Sequence, residues 1–116
     1  MKKMFIIFAL SGLLGIGCAA QKPMYYWGNY SNTLYQYKKA PSDSTLQKHK
    51  EEIAVIIQKS KEIDVNVPPG IYGEYGFILL KTGDKAEAIK YFDLEEHTYP
   101  ESRVFIEKIK SYLVKN

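Results

Sequence analysis

The sequence predicts an all-α fold, in which a helical hairpin over residues 70–97 is flanked by two further helices over 44–63 and 101–114. Apolar residues recur every three or four positions in these segments, which is the period of an amphipathic helix. A pair of prolines separates the first helix from the hairpin, and a glycine divides the hairpin. Neither residue type continues a helix interior easily. An aromatic-rich segment precedes these elements.

The beginning of the chain is typical of a secretory signal. Lys2 and Lys3 precede an apolar run over residues 4–16. Such a run is shorter than the roughly 20 residues that a membrane-spanning helix needs. We therefore expect residues 1–17 to be a signal peptide that is removed.

Cys18 is the single cysteine of the chain, and the residues before it resemble a bacterial lipobox. The lipobox positions are Gly15, Ile16 and Gly17. This resemblance implies that Cys18 becomes diacylated and anchors the protein stably to a membrane. Ala19, rather than Asp, follows the cysteine, which implies sorting to the outer membrane. Residues 18–24 are then a short tether, and residues 25–116 form a single helical domain.

The helix over 44–63 is predicted from a capping box and an apolar stripe. Ser44 is the expected N-cap residue, and Gln47 completes the box three positions later. A shorter helix, capped by Ser31 and ended near Pro41, is expected before it. The stripe recurs at spacings of three, four and seven, and its residues are Leu46, Ile53, Ile56, Ile57, Ser60 and Ile63.

The hairpin, with helices over 70–82 and 85–97, resembles a tetratricopeptide repeat. That repeat places aromatic, small and apolar residues in its first helix, Ala and Phe in its second, and Pro after it. Small residues let helices approach closely, so Gly73 and Gly76 are expected at the helix contact. Each glycine costs about 1 kcal/mol in a helix relative to Ala. The repeat positions are Tyr72, Tyr75, Gly76, Leu79, Ala88, Phe92 and Pro100.

Local signals also mark the ends of these helices. Gly83 is expected to end the first hairpin helix in a left-handed conformation, and Asp84 to cap the second. Glu95 stands where the repeat usually has a second small residue. In the last helix, the expected inward stripe consists of Phe105, Ile109, Tyr112 and Leu113.

Charge and motif content argue against catalysis and nucleic-acid binding. The chain carries a net charge of +3, of which the signal peptide contributes two lysines, and acidic and basic residues interleave. His49 and His97 have no metal-ligand spacing, and we expect both on the surface. Glu95 and Glu96 are adjacent on a helix, point in different directions and are expected on a solvated face. We therefore expect no enzymatic activity, no cofactor, no metal and no small-molecule substrate.

Six aromatic residues lie within residues 25–37, and three interpretations of them stay open. They pack onto the helices as added core, form a partner-binding surface, or sit at the membrane interface beside the tether. The first is the leading interpretation, with Tyr26 and Trp27 as the first residues to test for a partner. The six residues are Tyr25, Tyr26, Trp27, Tyr30, Tyr35 and Tyr37.

The order of lipobox, YYWGNYS, VPPG and YPES resembles a family of small bacterial lipoproteins of unknown function. Members tend to be encoded beside a lipoprotein similar to the curli secretion pore and beside a second small lipoprotein. The resemblance implies a three-component envelope complex. Together with the lipid anchor, the short tether and the helical-repeat fold, it leads us to expect an adaptor or assembly role for a lipoprotein anchored to the outer membrane and facing the periplasm. The alternative is a lipoprotein that binds peptidoglycan or another glycan on its aromatic face.

Overall fold

The computed structural model describes residues 21–115, and the part of the chain that it describes is helical with no strand. The prediction of an all-α fold is confirmed. The signal peptide, the lipobox and Cys18 lie outside the described residues. The described elements are α1 (Tyr30–Lys39), α2 (Asp43–Glu62), α3 (Ile71–Lys81), α4 (Lys85–Thr98), a 3-10 turn (Pro100–Ser102) and α5 (Arg103–Lys115).

The capping box that starts α2 lies two residues earlier than predicted. Ser42 is the N-cap residue, and its Oγ accepts the backbone N–H of Thr45 at 3.1 Å. The Thr45 hydroxyl oxygen in turn accepts the Ser42 N–H at 3.0 Å. The prediction of Ser44 as the cap was wrong, because Ser42 offers the same chemistry and a threonine three positions later replaces the usual Glu or Gln.

This difference gives a matched pair of substitutions. Ser42→Ala is expected to lower the free energy of unfolding by about 1 kcal/mol, since it removes the acceptor for an N–H at the start of the helix. Ser44→Ala should change it by less than about 0.5 kcal/mol, because Ser44 is exposed inside the first turn. Urea unfolding followed by circular dichroism measures both. A larger loss for Ser44→Ala would contradict the observed cap.

The hairpin of α3 and α4 packs most closely at Gly76. A Cβ atom on Gly76 would lie 2.7 and 2.9 Å from two ring carbons of Phe92 and 3.1 Å from the carbonyl oxygen of Ala88. The turn between the helices uses Gly83, whose φ is +89°. Asp84 then caps α4 by accepting the N–H of Glu87 at 3.2 Å. The packing contact and the turn together fix the two helices side by side.

The core consists of two neighbouring groups of buried side chains. One joins α2 to α3 and contains Ile53, Ile56, Ile57, Val67, Ile71, Tyr72 and Ile78. The other joins α3, α4 and α5 and contains Leu79, Ala88, Phe92 and Ile106. Tyr75 and Tyr91 pack against both groups, so α3 lies at the centre of the molecule.

The inward face of α5 differs from the predicted stripe. Ile106 is the buried residue, at 1% exposed, whereas Phe105 is 61% exposed and Tyr112 is 56% exposed. Ile106, together with Ile109 and Leu113, follows helical spacing as well as the predicted set does, so the pattern alone did not fix the rotation of the helix. Lys110 fixes it, because its Nζ pairs with Asp93 and Glu96 of α4. The hydrogen bond to Asp93, followed by those to Glu96 and Glu107, raises the pKa of Lys110.

Candidate functional site

The aromatic segment is held across the helices by side chains far away in the sequence. We call residues 22–30 the strap. The Nζ atom of Lys22 lies 3.6 Å from a carboxylate oxygen of Asp64. The backbone N–H of Asn29 donates to Oε1 of Glu52 at 2.7 Å. Gly28 makes this approach possible, because its φ is +49° and a Cβ atom there would lie 2.5 Å from the same Glu52 oxygen.

The six aromatic residues divide between the core and the surface. Tyr25, Tyr26, Tyr30 and Tyr37 are half-buried, and Tyr26 and Tyr30 pack against the core of α2 and α3. Trp27 is 44% exposed and Tyr35 is 58% exposed. The ring of Trp27 lies 5.5 Å from that of Tyr30. Trp27 and Tyr35 are therefore the aromatic side chains of this segment that present the most surface to a partner.

The strap ends in a polar network around a buried histidine. His49 is 1% exposed, so the prediction that it lies on the surface was wrong. Its Nε2 donates to Oε1 of Glu74 at 2.6 Å, because a carboxylate only accepts. Its Nδ1 lies 2.7 Å from the Thr33 hydroxyl. The Tyr30 hydroxyl donates to the other oxygen of Glu74 at 2.6 Å, so α1, α2 and α3 meet at one carboxylate.

The polar network around His49 and Glu74 also affects the pKa of Tyr30. Burial, then the hydrogen bond to Glu74 and the charge of that carboxylate, raises the pKa of Tyr30 above its ordinary value of 10.0. The phenol therefore keeps its proton and remains a donor at neutral pH. His97, in contrast, is exposed on α4, as predicted.

Glu95 is a buried acidic residue, at 4% exposed, and the prediction of a solvated face for it was wrong. Its carboxylate accepts the N–H of Gly70 at 2.7 Å and that of Gly73 at 3.4 Å. Helix α3 begins after a glycine and has no capping side chain of its own. Glu95 supplies that cap from α4, where the positive end of the helix dipole favours a negative charge. The side chain of Glu96 is only 13% exposed, because it pairs with Arg103 and Lys110 of α5.

An apolar groove runs between α3 and α5, with Glu95 on its floor. The groove has a volume of about 360 Å³. A separate polar cleft of about 570 Å³ lies between α1 and α2. Phe77 and Phe105 form the walls of the groove with ring centroids 6.4 Å apart, and they are 40% and 61% exposed. Two carboxylates and no cation occur among the described residues that line it. Those residues are Gly70, Gly73, Glu74, Phe77, Glu95, Ser102, Phe105 and Ile106.

The polar cleft lies between α1 and α2, and Asn29 of the strap lines part of it. Side-chain amides line it from α1, namely those of Asn32 and Gln36, and Lys48 and Glu51 face it from α2. Thr33 also lines it, so the network around His49 reaches this surface through one hydroxyl. The exposed aromatic residues Trp27 and Tyr35 are not part of its lining.

The residues of the predicted repeat pattern lie mostly in the core. Tyr72, Gly76, Leu79, Ala88 and Phe92 are buried, and Tyr75 is half-buried with its ring 4.5 Å from that of Tyr91. Pro100 is exposed and opens the 3-10 turn before α5. The buried residues of this pattern act in packing, and no residue of the pattern lines the apolar groove.

Sequence reasoning missed His49, Glu74 and Glu95, although two signals were present. His49 lies three residues after Leu46 and four before Ile53, which places it on the predicted apolar stripe of α2. The VPPG segment gives α3 no capping side chain, so an acceptor from elsewhere is required. Glu74 carries no comparable signal.

Across residues 21–115, no group of His, Cys, Asp and Glu side chains is placed to hold a metal ion. Over the same residues, no helix has the length and apolar character needed to cross a bilayer.

A family model described as a domain of unknown function (DUF4810) matches residues 24–109. No curated protein and no solved structure matches the chain significantly. The match begins in the strap and ends within α5, so it includes both the polar network and the apolar groove.

Proposed function

This chain belongs to the DUF4810 family, and we propose that it is an outer-membrane-anchored periplasmic lipoprotein that acts as a non-catalytic adaptor in a complex of envelope lipoproteins. The observation that carries the adaptor role is the apolar groove, in which Phe77 and Phe105 remain exposed. Aromatic side chains that project from rigid elements are typical of binding hot spots. The tetratricopeptide-like character of the hairpin stays a prediction, and it favours the same role.

The chemistry of the groove indicates what binds there. Its walls are aromatic and aliphatic, and its charged lining residues are Glu74 and Glu95. An extended or helical protein segment with apolar side chains and a Lys or Arg complements such a lining. The groove lies between two helices that are already folded, so binding costs little ordering of the backbone of this chain.

The anchoring part of the proposal rests on the lipobox and Cys18. A diacylated cysteine a few residues before a folded domain holds that domain near one membrane. Partners that are anchored to the same membrane then meet the groove at a high effective concentration.

We expect the polar network to join helices and not to act in catalysis, although Thr33, His49 and Glu74 have the composition of a hydroxyl nucleophile, a base and an orienting carboxylate. The Thr33 hydroxyl lies within hydrogen-bond distance of two acceptors, Nδ1 of His49 at 2.7 Å and the backbone carbonyl oxygen of Tyr30 at 3.1 Å. It is thus tied to its own helix as well as to α2, and the network joins α1, α2 and α3.

Substitution of Phe105 tests the adaptor role. Phe105→Lys removes one wall of the groove and places a cation where a basic partner segment would bind, so recovery of envelope lipoproteins after cross-linking and pull-down should fall at least tenfold, roughly 1.4 kcal/mol of affinity. Val114→Lys is the matched control, because Val114 lies on the same helix and is 84% exposed outside the groove. Equal recovery with both variants, or no lipoprotein recovered with the wild-type protein, contradicts the proposal.

The second candidate function is binding of peptidoglycan or another glycan. The polar cleft favours it, because amide and carboxylate side chains such as those of Gln36 and Glu51 can hydrogen-bond sugar hydroxyls. Sedimentation with purified cell-wall sacculi separates the two candidates. Retention on sacculi that is lost in Gln36→Ala and kept in Phe105→Lys favours the glycan.

A further inference from the structure

The described chain begins at the same end of the molecule as the N-terminus of α5. Lys22 pairs with Asp64 in the loop before α3. Tyr25 lies beside Tyr99, and burial, followed by the effect of the Tyr25 side chain, raises the pKa of Tyr99. The Tyr99 hydroxyl donates to the carbonyl of Val67 at 2.6 Å, in the same loop. We call this region, from Lys22 through the loop to Tyr99 and the start of α5, the tether end.

The other end of α5 lies at the far side of the molecule. The Nζ of Lys85, at the turn of the hairpin, donates to the carbonyl of Leu113. Val104 and Val114 therefore mark opposite ends of one helix, about 15 Å apart at 1.5 Å per residue. Each is 84% exposed, so they differ in position and not in residue type or accessibility.

The tether limits how far this end can lie from the membrane. Cys18 precedes Lys22 by four residues, and such a segment spans at most about 14 Å when fully extended. This step rests on the lipid anchor of the proposed function. With Cys18 acylated in a bilayer, the tether end stays within that distance of the lipid.

Exposed apolar side chains occur at this end. Met24 is 79% exposed and Val104 is 84% exposed. We propose that the tether end rests on the phospholipid surface, with Met24 and Val104 in the interfacial layer. Charge does not supply the attraction, because the exposed Lys22 and Arg103 are offset by Asp64 and Glu101. The contact comes from apolar burial beside the anchor, and it should persist at high salt.

This orientation also determines where the apolar groove lies relative to the membrane. Gly70 and Ser102, which line one end of the groove, belong to the tether end. The groove thus opens close to the lipid surface. A segment that binds in it comes from a protein that is itself next to the membrane.

Site-specific labels test the orientation directly. The full-length lipidated protein is purified as Val104→Cys and as Val114→Cys, and each thiol receives the same fluorophore, since acylated Cys18 does not react. Each is reconstituted into vesicles of phosphatidylethanolamine and phosphatidylglycerol that contain a nitroxide-labelled lipid. Quenching at position 104 should exceed that at 114 by at least threefold, at both low and 0.5 M salt. Equal quenching, or stronger quenching at 114, overturns the orientation.

Palmitate labelling distinguishes a failure of the proposed orientation from a failure of the proposed lipid anchor. Incorporation of labelled palmitate that disappears in Cys18→Ala supports the anchor. If palmitate is incorporated and position 104 is unquenched, the orientation alone is wrong. If the wild-type protein incorporates no palmitate, the anchored lipoprotein and the orientation are both overturned.

Discussion

Gly76→Ala is expected to lower the free energy of unfolding by about 2 kcal/mol. The added Cβ would lie 2.7 Å from a ring carbon of Phe92. Overpacking of this kind costs roughly 1–3 kcal/mol. The upper end of that range, less a gain of about 1 kcal/mol in helix propensity, leaves a net loss of about 2 kcal/mol. Phe92 is 0% exposed and also packs against Phe77 with ring centroids 5.4 Å apart, so its ring has little room to move. In a domain of this size the midpoint temperature should fall by about 8–16 °C.

Gly73→Ala is the matched control, because it changes the same helix by the same atom. A Cβ there would lie 3.6 Å from Cγ of Glu95, which is ordinary van der Waals contact. The gain in helix propensity is then not opposed, and stability should rise by up to about 1 kcal/mol. Urea unfolding of both variants gives the comparison. A loss with Gly73→Ala as large as that with Gly76→Ala would contradict the observed packing of α3 on α4.

His49→Leu is expected to lower the free energy of unfolding by about 2–4 kcal/mol. It leaves the Glu74 carboxylate without its ring donor and the Thr33 hydroxyl without its ring contact. A neutral polar group left without a hydrogen-bond partner in the interior costs about 1–3 kcal/mol, and a charged group costs more. The side chain of Glu74 is 27% exposed, which keeps the loss moderate. Thr33→Val removes one neutral hydrogen bond and should cost about 1 kcal/mol.

A double-mutant cycle tests whether the network acts as a unit. His49→Leu combined with Glu74→Leu removes both the ring and the carboxylate, so no carboxylate is left unpaired. The double variant should lose less stability than the sum of the two single variants by at least about 1 kcal/mol. Additive losses, measured by urea unfolding at neutral pH, would show that His49 and Glu74 contribute independently.

Local signals in the sequence predicted the helices, and the contacts between helices were harder to infer. The apolar stripe of α2 and the turn at Gly83 depend on neighbours in the chain, so periodicity and turn chemistry revealed them. The rotation of α5 depends on the ion pairs of Lys110 with residues of α4. Nothing in the spacing of Phe105 and Ile106 decides between the two apolar faces.

The candidate site was harder to predict than the fold, for a related reason. His49 and Glu95 are polar residues, and polar residues on helices are usually exposed. Each is buried here because another helix supplies its hydrogen-bond partner. The partner of His49 is Glu74 of α3, and the partners of Glu95 are N–H groups at the start of α3. The groove walls, Phe77 and Phe105, were identified only when the rotation of α5 was known.

The strap has a consequence for the order of folding. Its contacts reach far along the chain, since Lys22 and Asp64 are 42 residues apart and Tyr30 and Glu74 are 44 apart. A chain made from its N-terminus presents the strap first, yet its partners on α3 and beyond must exist before it can dock. The strap therefore stays undocked during synthesis until α3, which carries Glu74, has been made.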